Sequence, residues 1–418
     1  MARRVEEPAG RRVDLWWVAV LTVAVVATGM AYTELWNPVV HRLGYPLIPA
    51  DFSQTLKDAL VIGRGQLLHV YSDHAQLVTL PGYALLLAPV ATAVHVLHLQ
   101  QPWLLAGPFC LGTAAAGLAG MDRLAAALGV EPLHRRWLLA AGAVALWPTV
   151  ALWGHPEDVL AVGSCAFCLA AAIERRWRAA GWFLGAALAA QLLAVLIVPV
   201  VLAAAGRDRW RPVALRAAAL PAALAGAVLV ADFNTAWAAL TSQPNYPLVD
   251  HPTPWMLLSP SLGQGTVAAG PARVIGFVVA AACGVAVRGR PFRPGPAPDR
   301  PAGRLTTPAV DPARLVWLAA AAFSARCLFE AVMDPYYVMP AVVLTLVLAA
   351  REGESRRAVA VLAGLALTVD TSETFGMWTY WLFMAGLLGV ALAAVAPRRQ
   401  AVARRSGRRR CAPGVLNP

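Results

Sequence analysis

The stretch LWGHPEDVLAV, residues 152–162, places one histidine and two adjacent acids between two long apolar runs. Such side chains exchange protons, bind hydroxyl groups or ligate cations, and they are costly in an apolar environment. Glu157 and Asp158 stand where a helix is expected to begin, and a helix N-terminus favours ionised carboxylates. A plain polar turn is the alternative. No second histidine lies at metal-ligand spacing, so no metal site is assigned, although Asp51, His155 and Glu157 leave open a divalent-metal site assembled in the fold.

A second candidate lies in the polar segment over residues 34–76, which includes YPLIPADFSQTLKDALVIGRGQLLHVYSDH. Pro49 and Asp51 indicate a helix start, and apolar residues follow at spacings of three and four, which predicts a short amphipathic helix on the membrane surface. Asp51 then lies at the positively polarised N-terminus, which favours an ionised carboxylate. A plain helix cap is the alternative. Lys57, the only lysine among the 35 lysines and arginines, follows on the same predicted helix.

A third group lies in SARCLFEAVMDPYYVMP, residues 324–340, which contains Arg326, Asp334, Tyr336 and Tyr337. An arginine inside a membrane helix is costly, so Arg326 is a functional hypothesis by default. A guanidinium that faces a phosphate at the membrane boundary is the functional interpretation. An ion pair with Glu330, one helical turn further along, is the alternative.

A fourth group lies in FNTAWAALTSQPNYPLVDHPTPWMLLSP, residues 233–260. Asp250, His251 and Trp255 are typical of a sugar-binding or lid segment, because aromatic rings cover the apolar faces of sugars and polar groups bind their hydroxyls. Anchoring at the membrane interface explains Trp255 equally well.

The elements that must position these residues are membrane helices. The chain of 418 residues is 59% hydrophobic and 14% charged, with a mean hydropathy of +0.58, and its apolar residues form long continuous runs. A helix needs about 20 apolar residues to cross a bilayer. These runs therefore predict an all-α polytopic membrane protein with about 10–12 transmembrane or half-spanning helices.

The formal net charge of +12 comes from arginines that cluster between the apolar runs and in the tail. Basic residues accumulate on the cytoplasmic side of a membrane, so these clusters predict a membrane protein with both termini in the cytoplasm. No nucleic-acid-binding module accompanies the charge, which excludes nucleic acid as the expected partner. The six cysteines lie mostly within apolar runs and are interpreted as small core residues.

The same clusters divide the chain into a cytoplasmic N-terminus over 1–14, a membrane domain over 15–396 and a basic cytoplasmic tail over 397–418. A Pro/Arg/Gly-rich cytoplasmic linker covers 288–314. Between clusters the chain must cross an even number of times, which predicts external loops at about 34–77, 154–157, 232–270, 333–336 and 370–376. All four groups of candidate residues therefore share the external face.

Two runs do not fit this count simply. Residues 179–205 have arginines near both ends, which leaves either two half-spanning helices that meet near Gln191 or a failure of the charge rule. Residues 78–121 must cross once, yet they contain two apolar segments separated by HLQQP. One of these segments is expected to be re-entrant or interfacial, a geometry tolerated where it is buried in protein.

In their order along the chain, several stretches resemble the integral-membrane, polyprenyl-phosphate-sugar-dependent glycosyltransferases of the GT-C superfamily, most closely the actinobacterial mannosyltransferase-like branch. The resemblance covers roughly residues 15–395. It rests on Asp51 in the first loop, and on GRGQLLHVY, LPGYALLLAPV, WGHPEDVLA, GWFLGAALAAQLLAVLIVP and RCLFEAVMDPYYVMP. Gln191 stands where relatives of this branch commonly have a basic residue.

The resemblance implies that Asp51 is the general base for an acceptor hydroxyl, and that a sugar, by resemblance mannose, leaves a polyprenyl monophosphate with inversion. It implies Arg326 and Lys57 as ligands of the donor phosphate. Substrate binding falls to His155, Glu157, Asp158, Asp250, His251, Trp255, Asp334, Tyr336 and Tyr337. The implied partners are membrane lipid, the polyprenyl-linked donor and an envelope glycolipid or glycan acceptor; no cofactor beyond the donor is assigned, and a divalent metal stays open.

Two other classes share some of these features. A transporter or lipid flippase also uses broken helices and a membrane arginine, but it predicts symmetric halves and charged groups at mid-membrane, and the sequence shows neither an internal repeat nor a mid-span acid. A catalytically inactive scaffold of the same fold is the third interpretation. Convergence of Asp51, Glu157 and Arg326 on one external cavity is the observation that would separate an enzyme from a transporter.

Overall fold

The computed structural model describes residues 18–24, 26–27, 50–73, 80–241, 244–248, 250–288, 310–368 and 376–397. Within these ranges the chain is mostly helical, and five helices are long and apolar enough to span a membrane. The prediction of an all-α polytopic membrane protein is confirmed at this level. The N-terminus over 1–14, most of the linker, most of the turn at 370–376 and most of the tail lie outside the described residues.

Fifteen α-helices lie between Ala50 and Ala394 in the described part of the chain. The first seven are α1 (Ala50–Gly63), α2 (Val70–Asp73), α3 (Gly82–Val96), α4 (Trp103–Ala127), α5 (Pro132–Trp147), α6 (Pro156–Ile173) and α7 (Trp177–Ala190). The other eight are α8 (Val198–Ala205), α9 (Trp210–Ala231), α10 (Phe233–Thr241), α11 (Arg273–Arg288), α12 (Pro312–Phe329), α13 (Met339–Ala349), α14 (Glu354–Thr368) and α15 (Met377–Ala394). The five long apolar helices are α4, α6, α9, α12 and α15.

Helices α6 and α13 lie at the centre of the bundle. Every residue of α13 is buried, as are most residues of α6, and a helix that is apolar on all sides is typical of such a position. Helix α4 packs closely on α6 because small residues face one another: a Cβ atom on Gly120 would lie 2.4 Å from the carbonyl oxygen of Gly163. Helices α9 and α15 instead keep most of their apolar surface exposed, as helices that face lipid do.

The segment from Trp177 to Ala205 is a helical hairpin. Helix α7 ends at Ala190, Gln191 is extended, and a 3₁₀ turn over Leu192–Ile197 leads into α8. Gln191 lies beside Asp158 at the start of α6, whereas α7 begins just after α6 ends.

Helix α8 ends on the side of the bundle where α7 begins. The Nε atom of Arg288, at the end of α11, donates to the carbonyl oxygen of Ala203 over 3.5 Å, while Arg273, at the start of α11, contacts Glu330 at the opposite end. Of the two alternatives left open by the sequence, the structure therefore shows two short helices that meet near Gln191.

Residues 78–121 also contain a hairpin, formed by α3 and the first part of α4. The HLQQP turn between them includes His98, whose φ is +49°. Tyr83, near the start of α3, packs against Phe109 of α4 with ring centroids 5.8 Å apart. Val96 and Leu97 at the tip of the hairpin are exposed.

Short β-strands pair the loop between α10 and α11 with the turn between α12 and α13. Strand β1 (His251–Pro252) pairs antiparallel with β4 (Val332–Met333), with His251 opposite Met333. Within the loop itself, β2 (Ser261–Gly263) pairs with β3 (Thr266–Val267). The first pairing holds Asp250 beside the turn that carries Asp334.

Candidate functional site

The turn before α6 places three candidate residues at one end of the bundle. Helix α5 continues as a π-helix over Pro148–Leu152, an irregularity that is frequent at functional sites. Gly154 then has a φ of +75°, the left-handed region that favours glycine. His155 is therefore the residue that precedes α6, and Glu157 and Asp158 occupy its first turn, where the sequence predicted them.

His155 links Asp51 to Glu157. Its Nε2 atom lies 3.1 Å from Oδ2 of Asp51, and its Nδ1 atom lies 2.8 Å from Oε1 of Glu157. A histidine donates to two carboxylates at once only when it is protonated. Burial opposes this charge, but the carboxylates of Glu157 and Asp51 raise the pKa of His155 well above its usual range. His155 is therefore a cation at neutral pH.

Asp51 lies in the first turn of α1, the helix that the sequence predicted after Pro49. Its side chain is 62% exposed even though one oxygen contacts His155. Asp51 is thus an oriented carboxylate that an external ligand can still reach.

Glu157 and Asp158 are 6% and 1% exposed, respectively. Oε2 of Glu157 and both carboxylate oxygens of Asp158 lack a hydrogen-bond partner of normal geometry, although Gln191 and Arg326 lie close enough to act on Asp158 electrostatically. Buried acceptors without partners are costly. A ligand that brings hydroxyl donors, or a cation, would satisfy these oxygens.

A divalent cation can be held at the same place. His155, Glu157 and Asp158 each offer one ligand atom, and these atoms lie within 4.8 Å of one another. A mixed nitrogen and oxygen set suits Zn²⁺ or Mn²⁺. A proton on His155 and a cation compete for the same atoms, so the cluster holds one or the other. The sequence left open a metal site formed by Asp51, His155 and Glu157. In the structure, the buried Asp158 rather than Asp51 is the third candidate ligand.

Arg326 lies in the last turn of α12 and shares a carboxylate with a second arginine. Its Nε donates to Oε2 of Glu330 over 3.3 Å, and Nε of Arg273 donates to Oε1 over 2.9 Å. The ion pair considered for Arg326 is present, but one fully buried carboxylate balances two guanidinium groups, so one positive charge remains. The Arg326 guanidinium also lies over the ring of Tyr337, 3.9 Å from its centroid.

The turn after α12 adds Tyr336 and Asp334. The Tyr336 ring stacks on His155 with centroids 4.1 Å apart, and its hydroxyl donates to Oδ2 of Asp334 over 3.1 Å. Burial, followed by the carboxylates of Asp334 and Asp51, raises the pKa of Asp250 to about 8. Asp250 is therefore protonated at neutral pH and hydrogen-bonds to Asp334. We refer to Asp51, His155, Glu157, Asp158, Asp250 and Asp334 as the acidic cluster.

His251 and Trp255 attach the loop between α10 and α11 to helices α15 and α12. His251 is buried and packs on Tyr380 with ring centroids 4.7 Å apart. Trp255 donates from Nε1 to the carbonyl oxygen of Leu328 over 2.6 Å and packs on Phe329. Among the described residues, no contact joins Trp255 to the acidic cluster. Trp255 thus joins this loop to the end of α12.

Among the described residues, Lys57 shares no cavity with Arg326. It lines a separate cavity between α1 and α3, because six residues of helix turn its side chain about 120° away from that of Asp51. In the part of the chain that the structure describes, no contact joins Lys57 to Arg326. The assignment of Lys57 to the same phosphate as Arg326 stays a prediction.

Two residues of the site, Arg273 and Gln191, were not among the candidates identified from the sequence. Arg273 stands at the start of an apolar run, a signal of the kind that singled out Arg326, but its partner Glu330 lies 57 residues away. Gln191 was identified as the point where two half-spanning helices could meet and as a departure from a family pattern, but not as a neighbour of Asp158. Both become visible only when separate helices are brought together.

Comparisons of the chain with protein-family models, with curated proteins and with solved structures find no match. The functional argument therefore depends on the geometry of the acidic cluster and its surroundings.

Proposed function

We propose that the protein is an integral-membrane glycosyltransferase that moves a sugar from a polyprenyl-monophosphate donor to an envelope glycolipid or polysaccharide at the outer face of a bacterial plasma membrane. The observation that carries the proposal is the convergence of Asp51, His155, Glu157 and Asp158 beside Arg326. Carboxylates that can accept a proton and bind hydroxyls thus lie next to a guanidinium that can bind phosphate. Mannose is the sugar that the resemblance implies.

Asp51 is the proposed general base. His155 holds Oδ2 of its carboxylate, which leaves Oδ1 to accept the proton of the acceptor hydroxyl. As that proton moves to Asp51, the acceptor oxygen bonds to the anomeric carbon of the donor. The bond from this carbon to the phosphate oxygen breaks, and its electron pair leaves with the polyprenyl phosphate, which inverts the anomeric centre.

Arg326 is proposed to bind the leaving phosphate. Its Nε is held by Glu330, and its Nη groups make no hydrogen bond to a described residue. Glu330 is shared with Arg273, so the three side chains together keep a net positive charge. A fixed positive charge beside the phosphate stabilises the negative charge that develops as the sugar departs.

Glu157 and Asp158 are proposed to bind sugar hydroxyls. Their unpartnered oxygens are acceptors, and each hydroxyl of a hexose supplies one donor. Binding in this way would satisfy groups that are otherwise buried at a cost. The same groups could not bind phosphate, because like charges would repel.

The alternatives make different use of the same features. A transporter or lipid flippase would use the broken helix at Gln191 as part of a transport pathway. An inactive scaffold would keep the fold and bind no donor. Both alternatives predict that no sugar is transferred.

The test is transfer by the purified full chain in proteoliposomes, with radiolabelled polyprenyl-phosphate-mannose and an envelope lipid extract as acceptor. Wild-type protein should form a labelled glycolipid, and Asp51→Asn should lower the rate about a hundredfold or more, as loss of a general base does. Asp208→Asn, an exposed acid in the turn before α9, is the matched control. Full activity of Asp51→Asn would refute the assigned base, and passage of intact donor across the bilayer without transfer would favour the flippase.

A further inference from the structure

A cavity of about 290 Å³ lies between α1 and the end of α3, away from the acidic cluster. One wall is a single face of α1 that carries Ser53, Leu56, Lys57 and Leu60, spaced as neighbours on a helix surface. The other wall is the end of α3 and the HLQQP turn. Its volume is at the lower end of those of small-ligand pockets, which run from about 300 Å³ upward. The cavity therefore suits a headgroup rather than a whole lipid.

The polar groups of this cavity are positively charged or neutral. Lys57, His95 and His98 line it, and none of its lining residues is acidic. Arg64 lies beside the cavity, with Nη2 3.2 Å from Nε2 of His95. Because a guanidinium can only donate, Nε2 of His95 accepts, and the ring proton is on Nδ1. The imidazole N–H of His95 is thus a donor, and the local charge favours an anion.

The remaining walls are apolar. Leu56 and Leu60 of α1 face Val94 of α3 across the cavity. Beside it, at the tip of the hairpin, Val96 and Leu97 are 64% and 61% exposed. Exposed apolar side chains next to a cationic pocket match a molecule with a phosphate at one end and a hydrocarbon chain at the other.

We propose that this cavity binds the phosphate of an anionic lipid. Lys57 is the charged ligand, His95 and His98 donate hydrogen bonds, and the first methylene groups of the lipid chain lie on Leu56 and Leu60. A phospholipid headgroup and a prenyl monophosphate share this chemistry. The site does not depend on the proposed transferase activity, because no member of the acidic cluster lines the cavity.

The experiment measures binding of three probes to the full chain in detergent micelles by native mass spectrometry: farnesyl phosphate, a short-chain phosphatidic acid and inorganic phosphate. Both lipid phosphates should bind, and whichever binds more tightly identifies the source of the phosphate. Inorganic phosphate should bind at least about tenfold more weakly, because it lacks the chain contacts. Binding of neither lipid, or equal binding of inorganic phosphate, would overturn the proposal.

Variants locate the binding. Lys57→Gln should weaken both lipid phosphates about tenfold or more, the effect of losing one charge-assisted hydrogen bond, and Lys57→Arg should retain most of the affinity. Arg136→Gln removes an exposed charge at the start of α5 and should change nothing. An unchanged affinity in Lys57→Gln, or an equal loss in Arg136→Gln, would contradict the site.

Farnesyl phosphate also fits the donor site proposed at Arg326, so the titration is repeated in Arg326→Gln. The Lys57-dependent binding should persist in that variant even if the protein transfers no sugar. Loss of the Lys57-dependent binding in Arg326→Gln would show that the two residues serve one site and would refute a separate cavity. Size-exclusion profiles confirm that each variant is folded, and Lys57 is an exposed residue whose replacement leaves the core intact.

Discussion

Nε2 of His155 lies 3.1 Å from Oδ2 of Asp51, although 104 residues separate the two in the chain. Asp51 begins α1 and His155 precedes α6, so the contact fixes two elements relative to each other. Tyr336, from a third element, stacks on the same imidazole. The imidazole of His155 thus joins the start of α1, the start of α6 and the turn after α12. It also orients the carboxylate of Asp51, the proposed base.

Replacing His155 by Gln should lower kcat for transfer about ten- to a hundredfold and leave the donor KM nearly unchanged. Glutamine removes the cation that orients Asp51, and misplacement of a catalytic group by about 1 Å costs rate rather than binding. The pKa of His155 is raised, so its ion pairs are present at neutral pH and are lost as pH rises through that pKa.

The pH profile provides a second readout for the same variant. Wild-type activity should fall on the alkaline side as His155 loses its proton, and this fall should be absent from the profile of His155→Gln. Asp208→Asn should keep the wild-type profile. An identical alkaline fall in His155→Gln would show that another group is responsible.

Replacing Arg326 by Gln should raise the donor KM about tenfold or more, because a charge-assisted contact with phosphate is lost. The fold should survive the change, since Arg273 still pairs with the buried Glu330. Loss of the only partner of a buried charge would be far more damaging. Transfer kinetics at varied donor concentration measure the effect, with Arg136→Gln as control; an unchanged KM together with an unchanged kcat would contradict phosphate binding.

Asp250 should make the loop between α10 and α11 sensitive to alkaline pH. Its pKa is raised to about 8, chiefly by burial and then by Asp334, so it is protonated in the folded state and donates to Asp334 at neutral pH. The stabilisation declines as pH rises towards 8, and above 8 two ionised carboxylates repel each other. Limited proteolysis of this loop should therefore be faster at pH 9 than at pH 7.

Asp250→Asn should remove most of that difference, because its amide donates to Asp334 at every pH. The comparison is made between variant and wild type at each pH, which cancels the pH dependence of the protease. Equal acceleration in both proteins would show that the carboxyl pair does not hold the loop.

Asp58 should limit the stability of the protein at neutral and alkaline pH. It is buried on α1 and accepts a hydrogen bond from Gln54 over 3.2 Å; burial raises its pKa from 3.8 to about 7. A carboxyl with a raised pKa destabilises the fold progressively as pH rises from about 4 to 7. Asp58→Asn should therefore increase the free energy of unfolding at pH 8 by on the order of 2 kcal/mol, which raises the melting temperature. It should have little effect at pH 4.5. A lower melting temperature at pH 8 would contradict it.

Much of the architecture could be predicted from local composition. Apolar runs and arginine clusters gave the helical membrane class and the positions of chain reversals, because insertion depends on the composition of each segment. GHPED and MDPYY are both turns between helices in the structure. For residues 179–205 the charge rule left either two half-spanning helices or a failure of the rule, and the helix does break at Gln191.

The side-chain pairings could be predicted only where they are local. Arg326 and Glu330 are one turn apart, and their ion pair was foreseen as an alternative. Arg273 reaches the same carboxylate from another helix, and nothing in its own surroundings reveals this. The resemblance implied Lys57 and Arg326 as ligands of one phosphate, whereas rotation along α1 directs Lys57 into a separate cavity.

The sequence by itself determined that this chain is a bundle of membrane helices with acids and a histidine at its turns, because those properties follow from runs and spacings of a few residues. Only the tertiary structure decided that His155 lies between Asp51 and Glu157, that two arginines share Glu330, and that Asp158 is buried beside Gln191. These relationships depend on the rotation and depth of each packed helix. Side chains from every neighbouring helix set that rotation and depth together, so no single segment encodes them.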